Sequence, residues 1–270
     1  MSQSALLDPT RLDPSWLVLD ARSERDYGQG HWPGAVRVPV SDWEAAAKRA
    51  DTDLSEDGHW RTLIGDLGVD GRRPVAVYDD GRMTEAARVW FILQHFGVPA
   101  AVLDGGWPAL AARPGVRMDS TPVVPSSVAL DPAPIGHALV GLVTRHELRD
   151  RLDGGTQIFD ARTAAEFAGD DMRKNARGGH LPGARRVGHA DLLTAEGRMK
   201  PAGELRDMLE RAGFRPGERI VTHCDGGGRA ALAALAAVQA GFTQVDAYYL
   251  SFSDWAKDES CPIVRDGDGH

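Results

Sequence analysis

The apolar positions along the chain fall into two matching series. Each opens with a short apolar run that stops at Asp-Ala-Arg, Val18-Leu19-Asp20-Ala21-Arg22 in the first and Ile158-Phe159-Asp160-Ala161-Arg162 in the second. A loop bearing glycine and proline follows, GHWPGA at 30–35 and GHLPGA at 179–184. Next come a helix, a second apolar run of strand length (75–78 and 220–223), and a helix of alanine and aliphatic residues that ends near Gly97 and Gly241. Runs this short and apolar suit strands buried on both faces. Their alternation with helices predicts an α/β fold, with two tandem copies of one unit, each a mainly parallel sheet flanked by helices.

Between the copies, residues 113–137 carry five prolines among serines and show neither helical nor strand period, which predicts a linker. Domains are therefore expected at 1–112 and 138–270, the second opened by a helix whose start is marked by Thr144 and Glu147 ahead of Leu148 and Leu152. Two units of roughly 120 residues each are large enough to close a core.

Composition bears on partners more than on fold. Hydrophobic residues at 42% and charged residues at 26% are those of a folded, water-soluble chain. A net charge of -8 argues against nucleic acid as a partner and leaves room for a local basic pocket that takes a small anion. No apolar run reaches membrane-spanning length and the N-terminus lacks a basic-then-apolar leader, so a cytoplasmic protein with no membrane partner is expected. The two cysteines, Cys224 and Cys261, make neither a disulfide framework nor a zinc-ligand spacing, so no metal site is expected and at least one thiol is free.

The duplication serves as an internal control: a residue present in both copies belongs to the common scaffold, whereas a residue in one copy can serve one site. Counting back from Gly97 and Gly241 sets Asp80 opposite Cys224 and Glu85 opposite Arg229. Only the second copy has the thiol. It ends a buried strand and is followed by Asp225, Gly226, Gly227, Gly228 and Arg229, then an alanine-rich helix. The carboxyl edge of a parallel sheet is where open α/β folds bind ligands. Three glycines let successive amide N–H groups turn inward at the positive end of that helix, a setting that favours a thiolate nucleophile. Cys261, beside Asp258 and Glu259, reads as structural.

Together these motifs resemble the tandem-domain rhodanese sulfurtransferases, of thiosulfate or 3-mercaptopyruvate type, over essentially the whole chain. The likeness rests on the Asp-Ala-Arg strand ends, the Gly-His-x-Pro-Gly-Ala loops, the cysteine opening a six-residue loop, and Ser251–Trp255 (SFSDW), which is similar to the family's C-terminal signature. It implies a catalytically inactive first domain with Asp in place of the cysteine. In the second, Cys224 would carry a persulfide sulfur from a small anionic donor to cyanide or a thiol, with no metal or organic cofactor. It also implies that Arg162 binds substrate, as does an arginine from the segment before the second Gly-His loop. That segment, Thr163–Gly178, has sixteen residues against seven at Ser23–Gln29 and brings Arg173, Lys174 and Arg177, of which Arg177 is the best candidate. Arg162 has a twin in Arg22, so a scaffold role stays open for it, and Arg173 and Lys174 read equally well as a solvated loop neutralised by Asp170 and Asp171. His31 and His180 recur as a pair and read as loop-fixing, while His223 alternates away from the nucleophile.

The Cys-x4-Arg spacing is one residue shorter than the Cys-x5-Arg loop of cysteine phosphatases and arsenate reductases, which sets that alternative behind sulfur transfer. A non-catalytic sulfur-binding module is a further alternative. The loop matches neither family subtype: Asp225 stands where thiosulfate-type loops have a cation, and Gly226 and Arg229 stand where mercaptopyruvate-type loops have hydroxyls. Missing hydroxyls weigh more against an enolate leaving group than one missing cation weighs against thiosulfate. Thiosulfate is thus the expected donor and 3-mercaptopyruvate the alternative.

Overall fold

The computed structural model describes residues 4–131, 138–152 and 154–265. The chain divides into two compact units, the first reaching Ala138 and including Ala195–Arg198, the second taking Leu139–Thr194 and the chain from Met199 on. Strands of the first unit are β1 (Leu6–Leu7), β2 (Leu17–Asp20), β3 (Val36–Arg37), β4 (Val75–Tyr78) and β5 (Ala100–Leu103). Those of the second are β6 (Gly141–Leu142), β7 (Gln157–Asp160), β8 (Ala184–Arg186), β9 (Ile220–His223) and β10 (Val245–Ala247). The sheet orders, β1-β5-β4-β2-β3 and β6-β10-β9-β7-β8, are the same order written twice, and the paired strands run parallel. The expected duplicated α/β architecture is the one observed.

Helices follow the strands in the same rhythm. The first unit has α1 (Glu24–Gln29), α2 (Val40–Ala47), α3 (Asp57–Gly65), α4 (Thr84–His95) and α5 (Gly106–Ala111). The second has α6 (Arg145–Asp150), α7 (Ala164–Ala168), α8 (Ala202–Arg211), α9 (Gly228–Gln239) and α10 (Ser251–Trp255). Thr144 and Glu147 close the reciprocal cap at the start of α6. In α8 only Leu205 and Leu209, one turn apart, are buried, as an amphipathic surface helix requires. By contrast α4 is buried from Ala86 to Gln94, and α9 from Ala230 to Ala237. A helix apolar on all sides belongs inside, as α9 is, whereas α4 also buries Arg88, which pairs with Glu85 at 2.8 Å. The central strands β4 and β9 are buried at every position, which is why β4 is an apolar run rather than an alternation, while β9 buries Thr222 and His223 beside Ile220 and Val221.

The described part of the proline-rich stretch is irregular, and it is tied to the first unit. Asp119 and His31 exchange backbone hydrogen bonds of 2.8 and 3.0 Å, and the Val128 N–H donates to the Gly65 carbonyl at 3.1 Å. A Cβ on Gly65 would lie 2.2 Å from the Val128 carbonyl oxygen, so only glycine admits this approach. The remainder of that stretch, 132–137, lies outside the described residues. Among the described residues no helix is long and apolar enough to cross a membrane.

Candidate active site

Parallel pairing of β7 with β9 sets Asp160 opposite His223, so the next residue, Cys224, emerges at the carboxyl edge of the sheet. Its backbone is held on both sides by α10: the Cys224 N–H donates to Ser251 Oγ at 3.1 Å, and its carbonyl accepts from Phe252 N at 3.0 Å. The sulfur receives the Gly227 N–H at 3.1 Å and lies 3.7 Å from Ser251 Oγ. Ser251 is itself unusual, fully buried with φ +62. Its one hydroxyl hydrogen is shared between the Tyr248 and Tyr249 carbonyls at 2.9 and 3.2 Å.

Of the three loop glycines only Gly227 has positive φ, at +101, and Gly228 already begins α9. A Cβ on Gly227 would meet the Tyr249 carbonyl oxygen at 2.8 Å and the Tyr249 ring at 3.0 Å. Glycine is therefore what allows this backbone to turn its N–H onto the sulfur. With Cys224 only 1% exposed, the sulfur sits beneath its own loop rather than on the surface.

Arg162 and Arg177, expected to bind substrate, and the loop residue Arg229 are each engaged. Arg229, second residue of α9, forms a two-pronged pair with Glu166, both contacts 2.7 Å. Glu166 is 1% exposed and closes the N-terminal cap of α7 by accepting from Thr163 N and Oγ1 at 3.1 and 2.9 Å. Burial opposes its charge, but the Arg229 hydrogen bonds and those from Thr163 prevail and bring its pKa to about 2. Burial likewise opposes the charge on Arg229. The Glu166 bonds, with the charges of Cys224, Glu166 and Asp225, more than offset it and hold Arg229 above the ordinary arginine range.

Arg162 is 2% exposed, paired with Asp160 at 2.6 Å and bonded to the Gly179 carbonyl at 2.9 Å, with its guanidinium 4.0 Å from the Phe252 ring centre. Arg22 repeats this arrangement with Asp20, the Gly30 carbonyl and the Trp107 ring, and it does so where no thiol exists. The geometry favours the scaffold role for both. Arg177 donates to the carbonyls of Ala256, Cys261 and Trp255 at 3.0, 3.0 and 3.1 Å and of Asp258 at 2.5 Å. Four of the five N–H groups of a guanidinium are thereby turned to backbone, so Arg177 pins the C-terminal segment.

The inserted segment instead meets the loop through Asn175, whose Nδ2 donates to Asp225 Oδ1 at 2.7 Å. Arg173 and Lys174 are exposed. His223 is fully buried, with Nε2 3.5 Å from Asp160. Burial first, and the neighbouring Arg162, push its pKa below the ordinary 6.5. His31 and His180 bond the Tyr27 and Phe167 carbonyls through Nδ1 at 2.9 and 3.0 Å and stack on the same two rings. Cys261 is fully buried in an apolar cluster with Tyr248 and Trp255, and burial raises its pKa. No group of side chains able to hold a metal ion occurs among the described residues.

One equivalence between the copies needs correction. Strand register sets Tyr78 opposite Asp20 as His223 is opposite Asp160, so Asp79, not Asp80, occupies the place of Cys224. The Asp79 carbonyl accepts from Trp107 N just as that of Cys224 accepts from Phe252 N. Counting from the glycines misses this because the first loop is one residue longer, running from Asp79 to a helix that begins at Thr84, against Cys224 to Gly228. The Asp79 carboxylate accepts from the N–H groups of Gly81, Met83, Glu85 and Ala86 at 2.9 to 3.1 Å. Asp80 turns outward to Arg82. Glu85, second in α4, does stand opposite Arg229.

The model of a family described as "Rhodanese-like domain" matches residues 4–113 and 144–258. A putative thiosulfate sulfurtransferase SseB of Mycobacterium tuberculosis is 29% identical over 262 residues, covering 94% of this chain and 90% of that protein. The 3-mercaptopyruvate sulfurtransferase of Escherichia coli K12 is 28% identical over 267 residues, covering 93% and 92%. Among solved structures, an anaerobic ergothioneine biosynthesis enzyme from Chlorobium limicola superposes with a TM-score of 0.84 at 19% identity, over 97% of this chain and 70% of that one. At that identity the likeness is one of fold.

Proposed function

The chain belongs to the rhodanese-like domain family, and on that premise we propose that it is a sulfurtransferase that carries a sulfane sulfur as a persulfide on Cys224. One observation carries the reading. The second copy sets a thiol under an inward-turned glycine N–H, while the first fills the same place with the carboxylate of Asp79.

With thiosulfate, the Cys224 thiolate attacks the outer sulfur, the new Sγ–S bond forms as the S–SO3 bond breaks, and sulfite leaves with the electron pair. The terminal sulfur keeps its negative charge until cyanide or a thiol accepts the sulfur and the thiolate returns. No proton is needed for sulfite to depart, and the loop residues Asp225–Arg229 offer no hydroxyl to an enolate. That supports thiosulfate before 3-mercaptopyruvate. A reducing, cytoplasmic setting suits a nucleophile that must return to the thiol after each turnover, and both cysteines are free.

The test is intact mass after incubation with thiosulfate alone. One added sulfur atom is expected, absent in Cys224→Ser and removed by cyanide. Reduced protein that gains no sulfur from thiosulfate or 3-mercaptopyruvate would identify a non-catalytic module.

A further inference from the structure

The nucleophile follows directly on a buried histidine that the reaction above does not use. The His223 ring is 0% exposed and lies between two oxygens: Nδ1 is 3.3 Å from the Cys224 carbonyl oxygen and Nε2 is 3.5 Å from Asp160 Oδ2. A neutral imidazole has one N–H and one lone pair. Whichever tautomer forms, its lone pair faces an oxygen, and Nε2 has no hydrogen-bond partner among the described residues. Only the imidazolium, with two N–H groups, can donate toward both.

The first copy fills the same place without this conflict. Strand register sets Tyr78 where His223 stands. Its hydroxyl donates to Asp20 Oδ2 at 2.6 Å and accepts from the Trp32 N–H at 3.2 Å. Burial and the Asp20 charge hold that phenol far above the ordinary tyrosine range, so it stays neutral. The copy with the thiol thus has a group that can take up a proton, and the copy without a thiol has one that cannot. The charged and titratable groups that act on His223 are Asp160 at the end of β7, which favours its cation, and Arg162 and His180, which oppose it, while Cys224 offers its carbonyl. Burial is the largest influence and leaves the ring below the ordinary 6.5, hence neutral at rest.

We propose that His223 is a positioning residue coupled to the nucleophile by charge: it takes up a proton when Cys224 becomes an anion, and as imidazolium it holds Asp160 and the Cys224 carbonyl while stabilising the negative sulfur. This rests on the reading of Cys224 as a nucleophile. The thiol proton goes to water and the imidazole draws one from water, so no redox partner enters. Linkage makes the effect reciprocal, since whatever an anion at position 224 adds to the proton affinity of His223, the imidazolium returns to the stability of that anion. Between neighbouring residues away from solvent such a coupling amounts to about one pH unit, or about ten-fold.

Two measurements test it, both in Cys261→Ser protein. The first is the NMR titration of the His223 ring, with isotope-labelled histidine, in C224S, which is neutral at that position, and in C224D, which carries there the charge that the first copy carries as Asp79. The His223 midpoint should be higher in C224D by about one pH unit. The second is the rate of Cys224 alkylation by iodoacetamide, from about pH 5 to about pH 8, with His223 present and in H223Y, whose hydroxyl has the precedent of Tyr78 against an aspartate. H223Y should be slower by up to about ten-fold at the acid end, with the difference shrinking as pH rises. Equal midpoints in C224S and C224D, or a rate ratio that is the same at every pH, would overturn the proposal and leave His223 as packing. Each measurement stands without the other's variant, so a misfolded H223Y or C224D leaves the other to decide. Neither uses a sulfur donor, so failure of thiosulfate and 3-mercaptopyruvate to load Cys224 would overturn the sulfurtransferase reading alone.

Discussion

Replacing Gly227 by alanine tests whether the loop's shape, rather than the thiol's presence alone, makes the site. At φ +101 an L-residue is strained by about 1–2 kcal/mol. The added methyl would also lie 2.8 Å from the Tyr249 carbonyl oxygen and 3.0 Å from its ring, and Tyr249 is 1% exposed with no room to retreat. Such overpacking costs a further 1–3 kcal/mol or so. The loop can relieve it only by moving, and movement carries the Gly227 N–H off the sulfur it meets at 3.1 Å.

Together these effects predict a melting temperature lower by roughly 5–15 °C. A fall in kcat/KM of about ten- to a hundred-fold is expected with every donor, because a displacement approaching an ångström costs that much. Gly226→Ala is the comparison, since Gly226 lacks the positive φ and should lose less of both. Steady-state sulfur transfer and thermal melts on the three proteins decide it. Wild-type kinetics in Gly227→Ala, or equal losses in the two variants, would show that the amide contact to sulfur contributes nothing.

Cys224→Ser should fold normally and transfer no sulfur, whereas Cys261→Ser should turn over like wild type but melt lower, because it buries a hydroxyl in the Tyr248–Trp255 cluster at a cost of about 1–3 kcal/mol. Intact mass, turnover and melts separate the two thiols. Arg177→Ala should destabilise by roughly 2–4 kcal/mol and reduce thiosulfate and 3-mercaptopyruvate efficiency by one common factor. A selective loss of the carboxylate donor would restore Arg177 as a ligand. The Glu166 carboxyl, ordinarily near 4.5 and here at about 2, adds stability that is full above 4.5 and is lost as pH falls toward 2. That amounts to roughly 3 kcal/mol. Denaturant titrations of wild type and E166Q should therefore differ most at neutral pH and converge near pH 2, and a gap independent of pH would contradict the ion pair.

The duplicated fold was legible because apolar runs, Asp-Ala-Arg ends and Gly-His loops recur in one order, and each is a local signal. Cys224 and its glycines were legible for the same reason. What sequence could not supply is contact over distance. Arg177 is bonded to carbonyls 78 to 84 positions away, so nothing near it in the chain reveals that its guanidinium is occupied. Arg229 finds Glu166 across 63 positions. Half of that pair did leave a trace, since Thr163 followed three residues later by Glu166 is a helix-start signal, but a cap says nothing of a second partner. Asn175 left none. The misplacement of Asp80 has a different origin: counting through a loop assumes equal length, whereas hydrogen-bond register between strands does not.

That one-residue difference shapes the contrast between the two copies. In the first unit the longer loop turns four N–H groups onto the Asp79 carboxylate, so the anion the cradle would attract is already part of the chain and is only 2% exposed. An incoming anion would have to displace a covalently tethered one. In the second unit the loop is shorter and the resident group is a single sulfur atom, which accepts the Gly227 N–H. A persulfide would extend that sulfur by one atom beside the Gly227 N–H it already meets. The carboxylate thus ends the first loop's capacity for anions, while the second loop holds the thiol on which the persulfide is proposed. The same helix start and the same sheet edge serve both, which is why the two copies can keep one fold while only one keeps a nucleophile.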